Sequence, residues 1–135
     1  MRIVVDANVL ASGIFWGGYP GRVLDLWAHD RVAILASPAI LCEYSRVLTD
    51  LGSREGQTTT AGHWLTFIGQ HSTLVDPRTV IRMCRDPDDD KYLACAVDGG
   101  AECIVSGDRD LLELKSVLGV PIVTPRRFIE NTASR

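Results

Sequence analysis

Three consecutive β-branched residues, Ile3-Val4-Val5, end abruptly at Asp6. A short apolar run without alternation predicts a strand covered on both faces, as in a parallel sheet. Val9 to Trp16 then reads as a helix that breaks at Gly17-Gly18. Pro20 suits the first turn of a new helix, whose apolar face is Val23, Leu24 and Trp27. Val32 to Ala36 predicts a second strand. Ser37-Pro38 opens the next helix, with serine as N-cap and proline at the first helical position. Ile40, Tyr44, Val47 and Leu51 recur along it at helical spacing, and Gly52 is expected to stop it. Residues 52–62 are polar, rich in Gly and Thr, and aperiodic, so they read as a loop. Trp64, Leu65 and Ile68 mark a short helix, and Leu74-Val75 a possible strand. Asp86-Pro87 opens a helix running to about Asp98, before Gly99-Gly100. Cys103-Ile104-Val105 is a buried strand. Leu111, Leu112 and Leu114 suggest a short helix, Pro121-Ile122-Val123 the last strand, and Thr124-Pro125 the cap of a final helix ending near Asn131.

Strands that alternate with helices predict an α/β domain, a three-layer α/β/α sandwich around a mostly parallel sheet of four to five strands. A chain of 135 residues is one compact domain long, so residues 1–135 are expected to share one core. No apolar run reaches the roughly 18–20 residues that span a bilayer. Asp6 arrives too early for a secretory leader, and the expected location is the cytoplasm. Cys42, Cys84, Cys95 and Cys103 form no CxxC pair and lie far from the histidines, which disfavours zinc. Cys42, Cys95 and Cys103 sit in apolar patterns and are expected to be buried thiols. The net charge of −3 excludes a generally basic coat. Four acids packed between Asp86 and Asp90 carry much of that excess, so a local basic surface remains compatible with it.

The acids matter most where the layout puts them. In open α/β sheets ligands bind beyond the carboxyl ends of the strands, and Asp6 and Asp108 fall there. Each could equally be the N-cap of the helix that follows, and position alone leaves both readings open. Asp86 and Pro87 fit a helix start, and first-turn acids oppose the helix dipole, which accounts for two of the four acids and leaves the others. Taking Leu93, Ala96 and Val97 as the buried face, Asp89 points within that arc, Asp90 lies at its edge and Asp88 points to solvent. An inward carboxylate needs a partner, so Asp89 is the preferred metal ligand, with Asp90 second. Glu43 reads locally as a solvated helical acid pairing with Arg46. Ser106-Gly107-Asp108-Arg109-Asp110 follows a strand, and Asp110 there can be a dipole partner or a further ligand. Several carboxylates converging on one rim with no lysine among them call for divalent cations. Oxygen ligands favour Mg²⁺ or Mn²⁺, which activate water and stabilise phosphoryl transition states.

Five segments together carry a family resemblance. They are Val4-Val5-Asp6-Ala7-Asn8-Val9-Leu10; Ser37-Pro38 with Glu43; Asp86-Pro87-Asp88-Asp89-Asp90-Lys91-Tyr92-Leu93; Ile104 to Leu111; and Val123-Thr124-Pro125. In this order they resemble PIN-domain proteins, of the bacterial and archaeal toxin-like group related to the VapC toxins. The resemblance implies a Mg²⁺- or Mn²⁺-dependent endoribonuclease, with Asp6, Glu43 and Asp89 matching the core acids and Asp108 the fourth. Asn8 matches a position whose amide supports the site, and Ser106 stands where threonine is more usual. It further implies hydrolysis of RNA by a metal-positioned water, leaving 5′-phosphate and 3′-hydroxyl ends. A cognate antitoxin and a homodimer are the protein partners it suggests. Arg22, Arg46, Arg82, Arg85 and Arg109 are the candidates for the RNA backbone.

Two other readings compete with a nuclease. A non-catalytic PIN-like module binding RNA or protein would be expected to have lost acids, and all four are present. A phosphatase of the haloacid-dehalogenase type would want a second Asp two residues after Asp6, where this chain has Asn8.

Overall fold

The computed structural model describes residues 1–133; the last two residues of the expected 1–135 domain lie outside them. The chain runs β1 (Arg2–Val5), α1 (Ala7–Phe15), α2 (Gly18–Ala28), β2 (Ala33–Ala36), α3 (Pro38–Arg54), α4 (Thr58–His71), β3 (Thr73–Leu74), a 3₁₀ turn (Pro87–Asp89), α5 (Asp90–Gly99), β4 (Cys103–Val105), α6 (Arg109–Leu114), β5 (Ser116–Val117), β6 (Val120–Val123) and α7 (Pro125–Ala133). The strands form one sheet in the order β3-β2-β1-β4-β6-β5, parallel except where β5 meets β6. Ile3, Val4 and Val5 are all fully buried, as are Ile104 and Val105. Successive strand residues face opposite sides, so helices cover both faces and the α/β/α layering holds.

The sheet has six strands, not the four to five expected. The addition is β5, joined to β6 by a two-residue turn in which Leu118 has φ 44° and Gly119 φ 85°. Two positive φ values make the hairpin turn that matches strand twist, normally signalled by Asn-Gly or Asp-Gly. Leucine gives no such signal.

The segment expected to be a loop over 52–62 is mostly helical. Gly52 does not stop α3, which continues to Arg54, and α4 begins at Thr58. A Cβ at Gly52 would lie 2.7 Å from the Ala61 Cβ. The glycine is thus a contact between two helices rather than a terminator, and Ala61 is its buried counterpart. Residues 76–86 carry the irregular backbone. Asp98 pins one end, accepting from the Arg78 and Thr79 amides at 2.6 and 2.7 Å and from the Thr79 hydroxyl at 2.6 Å. Asp90 pins the other, accepting from the Met83 and Cys84 amides at 3.1 and 2.8 Å.

The cysteine expectation holds for Cys95 and Cys103, which are buried, but Cys42 is exposed because α3 turns it away from the sheet. Among the described residues no helix is long and apolar enough to cross a membrane.

Candidate active site

The sheet reverses its winding beside β1. The chain steps from β1 to β2 and β3 on one side, then crosses back to lay β4 on the other. The carboxyl ends of β1 and β4 therefore flank the crevice where α/β folds place ligands. Val5 is in register with Val105, and the Asp6 amide donates to the Val105 carbonyl at 3.1 Å. This pairing brings Asp6 and Ser106, a hundred residues apart, into contact.

Asp6 is 4% exposed. One carboxylate oxygen caps α1, accepting from the Asn8 and Val9 amides at 2.8 and 3.2 Å. The other accepts from the Ser106 hydroxyl. The Ser106 oxygen in turn accepts from the Asp108 amide at 3.0 Å, and Asp108 caps α6 through the Asp110 amide at 2.9 Å. Both strand-end acids are thus helix caps, and both also stand at the crevice. Burial pushes the Asp6 carboxyl upward against its hydrogen bonds, and the charge of Asp108 adds to the rise.

Asp89 lies opposite, in the 3₁₀ turn before α5 rather than inside that helix. The helical-phase reasoning is therefore one step removed from the real backbone, although the side chain does turn toward the acids. Its carboxyl is pushed up to about 6, first by burial and then by the charges of Asp108, Asp86, Glu43 and Asp6. Among the described residues no donor hydrogen-bonds to it. Asp90, by contrast, is held below the usual carboxylate range by the Cys84 and Met83 amides, which outweigh its partial desolvation. The two neighbours differ: one is engaged with the 76–86 segment, the other is open to the crevice.

Glu43 is not the solvated acid its local sequence suggests, since its side chain is only 17% exposed. Arg46 is in reach at 3.4 Å, as the helical spacing predicts. Its other oxygen, however, accepts from the Tyr92 hydroxyl and lies 3.0 Å from Lys91 Nζ. The supposition that no lysine joins the acids therefore fails. Lys91 follows directly on the acid run, and the first turn of α5 faces α3 with it. The Tyr92 hydroxyl also accepts from the Ala7 amide at 3.1 Å, and Tyr44 donates to the Val5 carbonyl. These two tyrosines tie β1, α1, α3 and α5 together beneath the acids. The sequence reading gave neither a role, nor Lys91. A tyrosine within a buried helical stripe, which needs a partner for its hydroxyl, was the available signal.

Asn8 is exposed and lines a cleft of about 640 Å³ with Ser12, Pro20, Asp108, Arg109 and Pro125. Asp110 lies 3.7 Å from Arg85. Arg82 lies near enough to Asp90 to help lower its carboxyl, and Arg22 is on α2 beside Tyr19. A second cavity, of about 600 Å³ and lined by Gly13, Ile14, Leu24 and Trp64 among others, contains none of the predicted acids. Among the described residues no three carboxylate, imidazole or thiol groups stand close enough, as the side chains lie, to enclose one ion.

The sequence profile described as the PIN domain matches residues 2–110 of this chain. The chain belongs to the PIN-domain family. An uncharacterized protein, MJ1680, of Methanocaldococcus jannaschii is 30% identical over 141 residues, covering 96% of this chain and 90% of that protein. The PIN domain here also superposes on PAE2754 from Pyrobaculum aerophilum, with TM-score 0.66, 19% identity, and coverage of 100% of this chain and 91% of that one. It resembles VapBC2 from Rickettsia felis, solved bound to a DNA fragment from its promoter, with TM-score 0.60, 14% identity, and coverage of 90% and 97%. At these identities the two structures establish the fold. PIN domains are generally nucleases, so this crevice of acids belongs to a nuclease family.

Proposed function

We propose that this PIN domain is a divalent-metal-dependent endoribonuclease whose working acids are Asp6, Asp89 and Asp108, with Glu43 in support. The observation that carries the reading is Asp89, a carboxylate with no hydrogen-bond donor, raised to about 6 by burial and by four other acids. Such an arrangement opposes folding unless a cation relieves it.

The donor set is all oxygen, which suits Mg²⁺ or Mn²⁺ rather than zinc. Mg²⁺ usually keeps several waters and takes only one or two protein carboxylates besides substrate phosphates. Asp6, Asp89 and Asp108 are the acids from which the ion's one or two carboxylate ligands would come. When bound, it supplies Lewis acidity and a water acidified toward neutral pH, the chemistry needed for phosphodiester hydrolysis with 5′-phosphate and 3′-hydroxyl products.

The chain's own residues do the positioning. The Ser106 hydroxyl, directed at Asp6, holds that carboxylate in place. Tyr92 and Lys91 hold Glu43 at the back of the site, leaving it accepting rather than mobile. Asn8, exposed at the cleft, offers an amide donor for a phosphate oxygen. Arg109, which lines the cleft, is the nearer candidate for backbone phosphates, whereas Arg85 is paired with Asp110 and Arg46 with Glu43.

Purified protein is expected to cleave RNA in Mg²⁺ or Mn²⁺ and to stop in chelator. Asp6→Asn and Asp89→Asn should each lower the rate by at least about 100-fold, the usual scale for a disturbed metal site. Equal cleavage by either variant sinks the proposal. Likeness to VapBC2 supports an antitoxin partner. Growth arrest on expression, relieved by co-expressing a small protein encoded beside the gene, is the corresponding test.

Lys91 against Glu43 favours one alternative, a PIN-like module that binds without cleaving, because it neutralises one acid without metal. Calorimetry separates the two. Mg²⁺ or Mn²⁺ binding that is lost in Asp89→Ala supports the nuclease, and its absence in the wild type supports the module.

A further inference from the structure

The cleft beside Asp108 does not end at the acids. It runs past Asn8 and Arg109 to Pro20 and Pro125. Each of those prolines adjoins a residue of one cation–aromatic group. Tyr19, on α2, is 36% exposed. The Arg22 guanidinium lies 5.4 Å from the ring centroid, and the Arg126 guanidinium, on α7, lies 5.9 Å from it. Arg22, Arg109 and Arg126 are all exposed. Among the described residues neither Arg22 nor Arg109 forms an ion pair, while Arg126 shares its guanidinium with Glu130 at 2.8 Å.

Arg109 lines this cleft, Tyr19 and Arg22 line the cavity of about 600 Å³ beyond Pro20, and Arg126 follows Pro125, which puts three cations beside these two openings in a chain of net charge −3. An exposed ring among them has the two features that single-stranded nucleic acid needs: charge for the phosphates and a flat face for a base. We infer that the cleft beside Asp108, continued past Pro20 to the neighbouring cavity at Tyr19, is the track of a single-stranded RNA segment, with phosphates on Arg109, Arg22 and Arg126 and one base stacked at Tyr19. This deepens the ribonuclease reading and rests on it. The plain alternative is that Tyr19 and its arginines only lock α2 to α7.

The test is binding of a fluorescein-labelled oligouridylate to the metal-free full chain, read by anisotropy over a salt series, so that no cleavage is required. Tyr19→Ala should weaken binding about tenfold, within the range for loss of one base–aromatic stack. Tyr19→Phe, which keeps the ring, should bind as the wild type does. Arg22→Gln and Arg126→Gln should each reduce the slope of log affinity against log salt by about 0.7, one phosphate contact on a single strand. A purely structural stack would leave those slopes alone. Should Tyr19→Ala fail to fold, Tyr19→Phe and the two arginine slopes still decide.

Wild-type affinity and salt slopes retained in Tyr19→Ala and both arginine variants would overturn the track. So would tight binding of an oligoglutamate, indifferent to Tyr19→Ala, which would assign the cleft to an acidic protein segment instead. A raised KM for RNA cleavage in Tyr19→Ala that Tyr19→Phe does not show supports the track. Binding as expected without any cleavage by the wild type overturns the ribonuclease reading and leaves the track standing.

Discussion

At Asp6 two demands meet in one carboxylate. It caps α1 through the Asn8 and Val9 amides, and it faces Asp108 across Ser106. Its cap role is legible from an Asp placed between a strand and a helix; its proximity to Ser106 is not. Asp89 has no such structural duty. Replacing it by Asn removes repulsion with four acids while keeping the shape, so the metal-free Asp89→Asn protein should melt a few degrees above wild type. Thermal denaturation in chelator checks this, and a lower melting temperature would contradict the repulsion account. Tyr92 is the opposite case, since its hydroxyl serves both the Ala7 amide and Glu43. Tyr92→Phe leaves a buried amide unpaired and should cost about 1–3 kcal/mol in denaturant unfolding. It should also slow RNA cleavage by releasing Glu43.

Among the elements, the α3–α4 pair and the 76–86 segment depend on single residues. At Gly52 any side chain meets Ala61, so Gly52→Ala should destabilise by about 1–3 kcal/mol despite the better helix propensity of alanine. A gain in stability would mean that the helices can separate without cost. The 76–86 segment hangs on Asp98, whose carboxyl is lowered by the Thr79 hydroxyl, then by the Thr79 and Arg78 amides. A depressed carboxyl contributes stability above its unfolded value of 3.8 and loses it as pH falls through the lower folded value. Protease cutting within 76–86 should therefore be slow near neutral pH and rise below about pH 4. Asp98→Ala should be cut readily at every pH. At this scale the sequence was read well where a periodic face met a good cap, as at the start of α3, whereas α5 begins at Asp90, after the 3₁₀ turn that Asp86 caps. It was misread at Gly52, because a glycine that permits close helix contact looks the same in sequence as one that ends a helix. It was silent at β5, because Leu118 adopts a positive φ that leucine seldom shows.

For the whole molecule, the layout turns a fold into a site. Winding outward from β1 in both directions puts Asp6 and Asp108 on adjacent strand ends, and the 3₁₀ turn before α5 carries Asp89 to the same rim. If that rim holds a cation in the native state only, Mg²⁺ at about 100 times its dissociation constant should add about 2.7 kcal/mol of stability. The rise in melting temperature should vanish in Asp89→Ala. The sequence by itself determined the alternation of strands and helices, the parallel sheet, the cap at Ser37, and which acids fall at strand ends. These follow from local periodicity and from residues within a few positions of one another. Only the tertiary structure decided that Glu43 is held by Tyr92 and Lys91, that Asp90 is engaged with Met83 and Cys84 while Asp89 is open, and that Ser106 joins Asp6 to Asp108. Those are contacts between distant or differently directed side chains. Their existence depends on strand register and helix packing, which no local pattern of hydrophobic and polar residues specifies.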